Sequence, residues 1–195
     1  MPETRRHMEQ RTALFQIVRN AFGHRVTVGS EQFVYWDPTD PRQSCSPDLF
    51  VRLGVADAPF DSWKVWERGA PELVVEIMSR SDAAEGPWDE KLDRFRRLGA
   101  HEVVRFDPED RDRPLRIWDG VDGDLVERDT AGADFSRCDT LDAYFCVHQT
   151  ESGPMLRLAT DAGGHDLLPT PDEARQLAER RVAELEAELA ARRKA

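Results

Sequence analysis

In PELVVEIMS (Pro71 to Ser79), strand alternation sends Leu73, Val75 and Ile77 to one side and Val74, Glu76 and Met78 to the other. Both sides are apolar except for Glu76. A carboxylate in such a strand is costly unless a proton, a cationic side chain or a metal ion matches it. Asp48 follows Pro47 at the start of a second apolar run, DLFVRLGV, on the face it shares with Phe50 and Arg52. Lys91 lies on a helical stretch in register with Phe95 and Leu98. Its ammonium either snorkels past the core or leans over the sheet edge toward Glu76. An Asp and a Glu on neighbouring strands can hold a divalent cation, and an ammonium can orient water or offset charge developing on phosphorus. Hydrolysis of a phosphodiester needs those parts.

The elements that must position these groups follow from pattern. A helix is expected from about Glu3 to Phe22, on the spacing of Met8, Leu14, Ile17, Val18 and Phe22. Two β-rich stretches follow, His24 to Trp36 and Pro47 to Val55, joined by a loop rich in Pro and Asp. Ala56 to Ala70 is expected to be a loop pinned by Trp63 and Trp66. The PELVVEIMS strand, apolar on both faces, suits a sheet centre. A polar turn, a helix from Trp88 to Leu98 ended by Gly99, and a strand in HEVVRFDPED complete a right-handed βαβ unit. LRIWDGVDGDLVERD, with two Asp-Gly signals, suits an antiparallel edge meander, and DTLDAYFCV a short closing helix. LRLATDAGGHDLLPT suggests a hairpin, and Thr170-Pro171-Asp172-Glu173 is a capping box that opens a C-terminal helix.

SPDLFVRLG, APELVVEIMSRSD and DEKLDRFRRLGAHEVVRFDPE together resemble the Uma-two family of restriction endonucleases, within the PD-(D/E)XK nuclease superfamily. The likeness spans roughly residues 5 to 145, and the tail is similar to the family's C-terminal helix. It implies an α/β fold, a restriction-endonuclease-like mixed sheet flanked by helices, with an edge β-meander and a helical tail. It further implies Asp48 and Glu76 as ligands of Mg2+ or Mn2+, the Ile77 carbonyl as an additional ligand, and Lys91 as the catalytic lysine. Lys91 would be relocated from the strand position that Met78 occupies. The expected organisation is a nuclease-like domain over residues 1–150, a hairpin or linker over 151–170 and an amphipathic helix over 171–195. The implied function is metal-dependent endonucleolytic cleavage of DNA. A catalytically inactive member acting as a binding or oligomerisation module is the alternative.

Composition bounds these readings. The 195 residues carry a formal net charge of -11, so a polyanion must bind at a local basic patch or through a bridging cation. Arg80, in the turn after the Glu76 strand, and Arg94, one turn beyond Lys91, are the candidate phosphate contacts. Arg94, Arg96 and Arg97 can equally be a solvated helix face. The three cysteines, Cys45, Cys138 and Cys146, lack the pairing of a disulfide framework or zinc site. The five histidines show no HxH or HExxH spacing, and no P-loop or GxSxG elbow occurs. A carboxylate-pair glycosidase leaves Lys91 unexplained. No stretch is long and apolar enough for a membrane span, and a cytoplasmic protein is expected. In the C-terminal helix, Leu177, Val182, Leu185 and Leu189 form a narrow stripe that suits a homodimer contact.

Overall fold

The computed structural model describes residues 4–79, 87–130 and 132–194. Helix α1 (Arg5–Phe22) is capped by Thr4, whose hydroxyl accepts from the His7 amide at 3.2 Å. It buries Leu14, Ile17 and Val18 against the sheet. Each such side chain contributes about 1.5–3 kcal/mol on transfer from water. Glu3, the expected first helical residue, lies outside the described residues.

The main sheet has six strands in the order β1-β4-β6-β7-β8-β9. These are β1 (Val26–Gly29), β4 (Leu49–Leu53), β6 (Leu73–Ile77), β7 (Glu102–Phe106), β8 (Leu115–Val121) and β9 (Asp124–Glu127). β6 and β7 pair in parallel and all other neighbours are antiparallel. The crossover between β6 and β7 contains α3 (Trp88–Leu98), which ends at Gly99 as expected. Every residue of β6 is buried, as befits a strand covered by α1 on one face and α3 on the other. Leu73, Val75 and Ile77 join the core with α1, while Val74 joins Phe50, Val103, Phe95 and Leu98 beneath α3.

Two small sheets flank this unit. β2 (Val34–Tyr35) pairs with β3 (Ser44–Cys45) and, in parallel, with β5 (Trp63–Lys64), which leads into α2 (Val65–Arg68). The segment expected to be a loop pinned by two tryptophans thus contains a strand and one helical turn. Trp63 is fully buried, whereas Trp66 is 45% exposed and pins nothing. β10 (Phe135–Cys138), β11 (Ala143–Thr150) and β12 (Gly153–Ala159) form an antiparallel sheet that adds Phe145, Leu156 and Leu158 to the α1 core.

Two expectations need correction and a third needs refinement. DTLDAYFCV is no helix. Its second half starts β11, where Ala143 and Phe145 alternate inward and aromatic and β-branched side chains suit a half-buried sheet. Only the second Asp-Gly makes a turn, with Asp122 and Gly123 at positive φ between β8 and β9. Gly120 lies within β8, where a Cβ would come within 3.2 Å of the His101 backbone, so that glycine serves close approach. Finally, the hairpin expected over residues 156–170 shares its first arm with β12, which pairs with β11, and its second arm is held by the Ala159–Leu167 bridge and by the Thr160 N–Asp166 O and Leu168 N–Leu158 O hydrogen bonds.

The capping box forms as read. Glu173 N donates to Thr170 Oγ1 at 3.3 Å and Thr170 N to Glu173 Oε2 at 2.8 Å, opening α4 (Pro171–Lys194). Among the described residues, no helix is long and apolar enough to cross a membrane.

Gly29 faces Phe50 across the β1-β4 pair, and the Phe50 ring fills the space a Gly29 Cβ would need. Phe50 is two residues from Asp48. Gly29→Ala should therefore destabilise the protein by about 1–3 kcal/mol through overpacking, read as a lower midpoint in urea denaturation. An unchanged midpoint would mean that the ring has room to yield.

Candidate active site

The candidate residues meet at one end of the sheet, where β4 begins and the parallel pair β6 and β7 ends. Open α/β sheets bind ligands at the carboxyl ends of parallel strands. Leu49 pairs with Val75 and Phe50 with Val74. One further step of this register sets Asp48 across from Glu76. Both are 6% exposed. On the other side, Glu76 pairs in register with Arg105.

Glu76 projects toward α3 and its Oε1 accepts from Lys91 Nζ in a close ion pair. The helix stripe explains this, because Phe95 and Leu98 are buried against the sheet and Lys91 shares their side. Asp48 is held differently. Its Oδ2 accepts from the Ile77 amide at 2.7 Å and lies 3.1 Å from His7 Nε2. The same His7 nitrogen is 2.8 Å from the Ile77 carbonyl oxygen. The end of β6 thus has two sides, with Glu76 and Lys91 under α3 and Asp48, His7 and the Ile77 carbonyl by the first turn of α1. His7, Asp48 and Glu76 do not close into a trio with ligand atoms within 4.8 Å of one another.

His7 was not among the residues singled out from sequence. The available signal was its register, since His7 and Gln10 extend the stripe of Leu14, Ile17 and Val18 toward the helix N-terminus with polar side chains. Gln10 is itself buried and donates to the Pro154 carbonyl at 3.1 Å.

Arg94 is exposed and lines a cleft with Glu76, Lys91, Cys45 and Phe33. Arg96 is tied to Asp93 and Arg97 to Gln43, so neither points into that cleft as a free cation. Arg80 lies outside the described residues. Burial pushes the Cys45 thiol up to about 12, with the negative charge of Glu76 adding to the effect, so it stays protonated and is no nucleophile. Trp88 packs at a tilt against Trp118, and over its ring lies Arg105, whose guanidinium donates to Asp107 at 2.6 Å.

A family model described as "Putative restriction endonuclease", Uma2, matches residues 1–144 of the sequence. The chain belongs to the Uma2 family. A search of curated proteins found no match to this Uma2 member. Among solved structures it is similar to a putative nuclease belonging to DUF820 from Anabaena variabilis ATCC 29413, at 12% identity and a TM-score of 0.44. The match covers 61% of this chain and 64% of that one, so this chain spans less than two thirds of the neighbour's length.

This Uma2 chain has one other cluster of ligand-type side chains among its described residues, Glu102, Asp119 and Asp139. It lies at the opposite end of β7, and its centre is taken. Arg128 donates to Asp119 at 2.5 Å, Asp139 at 3.2 Å and Glu102 at 3.4 Å. Glu102 also accepts from the Asp139 and Thr140 amides. These bonds fasten the β10 end to the main sheet, and the arginine supplies the countercharge that a metal would otherwise bring.

The Lys91–Glu76 pair is mostly desolvated, with side-chain exposures of 19% and 7%. Lys91→Met and Glu76→Gln should each destabilise the fold, while the double variant recovers about 1–3 kcal/mol relative to their sum. A double-mutant cycle by urea denaturation measures this, and additivity within about 0.5 kcal/mol would show the two groups to be uncoupled.

Proposed function

We propose that the protein is a metal-dependent endonuclease that hydrolyses phosphodiester bonds of DNA, with Asp48, Glu76 and Lys91 as its working residues. The observation that carries this reading is the pairing of Lys91 with Glu76 one register step from Asp48, at the carboxyl end of the parallel strands. Family membership supports a nuclease, and the donor chemistry supports a hard divalent cation. The Asp48 carboxylate and the Ile77 carbonyl converge on one point, now held by His7 Nε2, and Glu76, on the α3 side of the same strand end, is the second carboxylate of the proposed set. Asp48, Glu76 and the Ile77 carbonyl would hold Mg2+ or Mn2+. When bound, such an ion lowers the pKa of its water and offsets charge on the phosphoryl oxygens.

The chain's own groups have the remaining roles. Lys91 positions the attacking water and returns its ammonium to Glu76 between turnovers. Arg94, which lines the Lys91 cleft, steadies a phosphate, and Arg80, assigned on its sequence position between β6 and α3 alone, is a second phosphate contact. In-line attack on phosphorus expels the 3′ oxygen. With an acidic chain overall, these arginines and the cation must supply the local attraction for DNA.

Supercoiled plasmid should be nicked in the presence of Mg2+ or Mn2+, and chelation should stop it. Asp48→Asn, Glu76→Gln and Lys91→Ala should each lower the rate about 100-fold or more while retaining the circular dichroism spectrum. Nicking that survives both chelation and Glu76→Gln would sink the reading. A protein that folds but never cleaves would favour a binding module of the same family.

We also propose a cytoplasmic homodimer. Three free cysteines support a reducing compartment. Leu177, Val182, Leu185 and Leu189 of α4 are each more than 40% exposed, and such a stripe supports pairing with a second copy. Light scattering should give a dimer for the full chain and a monomer for one cut after Gln176. That cut spares the Arg157–Glu173 ion pair. Equal masses per chain in the two proteins would remove α4 from assembly.

A further inference from the structure

Among the described residues, His7 is the imidazole in contact with the proposed metal donors. Its Nε2 is 2.8 Å from the Ile77 carbonyl oxygen and 3.1 Å from Asp48 Oδ2. Donors about 2.1 Å from an octahedral cation stand about 3.0 Å from their cis neighbours. The nitrogen therefore has the spacing of a fellow ligand toward both oxygens. Here Nε2–H donates to the Ile77 carbonyl and approaches Asp48, so one nitrogen holds together two oxygens that a cation at the same point would hold in its place.

Three further features support a ligand role. The His7 side chain is 10% exposed, so the ring is enclosed and little rotamer freedom remains to be lost on binding. Its backbone is fixed in the first turn of α1 by the Thr4 cap. The cleft beside it, lined by Thr4, Arg6, Gln10, Met78, Ser79 and Glu109, opens the His7 ring and the Ile77 end of the strand to solvent, with a carboxylate and a guanidinium both in its wall.

We infer that His7 Nε2 is a ligand of the metal site together with the Asp48 carboxylate and the Ile77 carbonyl, and that it biases the site toward Mn2+ over Mg2+. This rests on the metal-dependent reading above. Nε2 must present its lone pair to the ion, so a ring protonated on both nitrogens releases the Nε2 proton to solvent, and a neutral ring exchanges through solvent to the tautomer with its proton on Nδ1. A borderline nitrogen donor suits a transition metal, whereas Mg2+ holds to oxygen and keeps its waters. With oxygen donors alone, the two ions would be separated less.

The test uses the full chain with Mn2+ and Mg2+ as probes. Wild type, His7→Asn and Asp48→Asn are titrated calorimetrically with each chloride salt, and the Mn2+-loaded proteins are studied by electron spin echo spectroscopy, which detects nitrogen bound directly to the ion. Wild type should prefer Mn2+ and show the nitrogen modulation. His7→Asn should weaken Mn2+ by about tenfold or more, change Mg2+ less, and lose the modulation. Wild type grown on histidine with isotopically labelled ring nitrogens should show the shifted pattern, a readout that does not depend on any variant folding. Binding of Mn2+ that needs Asp48 but shows no nitrogen, or a nitrogen signal that persists in His7→Asn, overturns the role of His7 and leaves the metal-dependent reading intact. If wild type binds neither ion, both fall.

Discussion

A carboxylate buried in the central strand is the constraint on which the arrangement turns. Glu76 occupies a strand whose every residue is buried, and the sheet offers it no backbone compensation, because its amide and carbonyl belong to the ladder. Its charge must be answered from outside the sheet. The crossover helix does this, and Lys91 can reach only if Phe95 and Leu98 seat α3 in a single rotation over Val74 and Val103. The apolar packing and the ion pair thus specify the same helix orientation. A rotated helix would lose hydrophobic burial and strand a charge at once.

That double requirement explains why this part was legible in the sequence. Strand alternation placed Glu76 opposite Val75, and helical spacing placed Lys91 with Phe95. The capping box at Thr170 was equally readable, because both reciprocal bonds are local. The tail of the domain was not. DTLDAYFCV satisfies helical and strand patterns alike over so few residues, and what decides for β11 is pairing with β10 and β12, a contact that leaves no local mark.

The candidate site shows the same division. Asp48, Glu76 and Lys91 could be chosen because each breaks an apolar pattern within its own element. His7 breaks one too, at the polar end of the α1 stripe, but a histidine at a helix start has many commonplace reasons to be there. Its meaning depends on Asp48 and Ile77, 41 and 70 residues away. The arginine-filled acidic cluster at Glu102 teaches the converse lesson. Three carboxylates in close array suggest a cation site until Arg128 is seen among them, and although that arginine lies only nine residues from Asp119, it is 26 from Glu102.

The seating of α1 has a consequence for the order in which the molecule is completed. Arg6 and Gln10 both donate to the Pro154 carbonyl, across separations of 148 and 144 residues, and the apolar stripe behind them packs on β12 as well as on the main sheet. Helix α1 is therefore fully seated only when a strand 148 residues further along is in place. Closing so long a loop is an entropic toll on folding speed rather than on final stability. A nascent chain can assemble the β6–α3–β7 unit and its ion pair early, with the N-terminal wall of the cleft still open. The full seating of α1, and with it the hold of the His7 imidazole on Asp48, comes only after synthesis has passed β12.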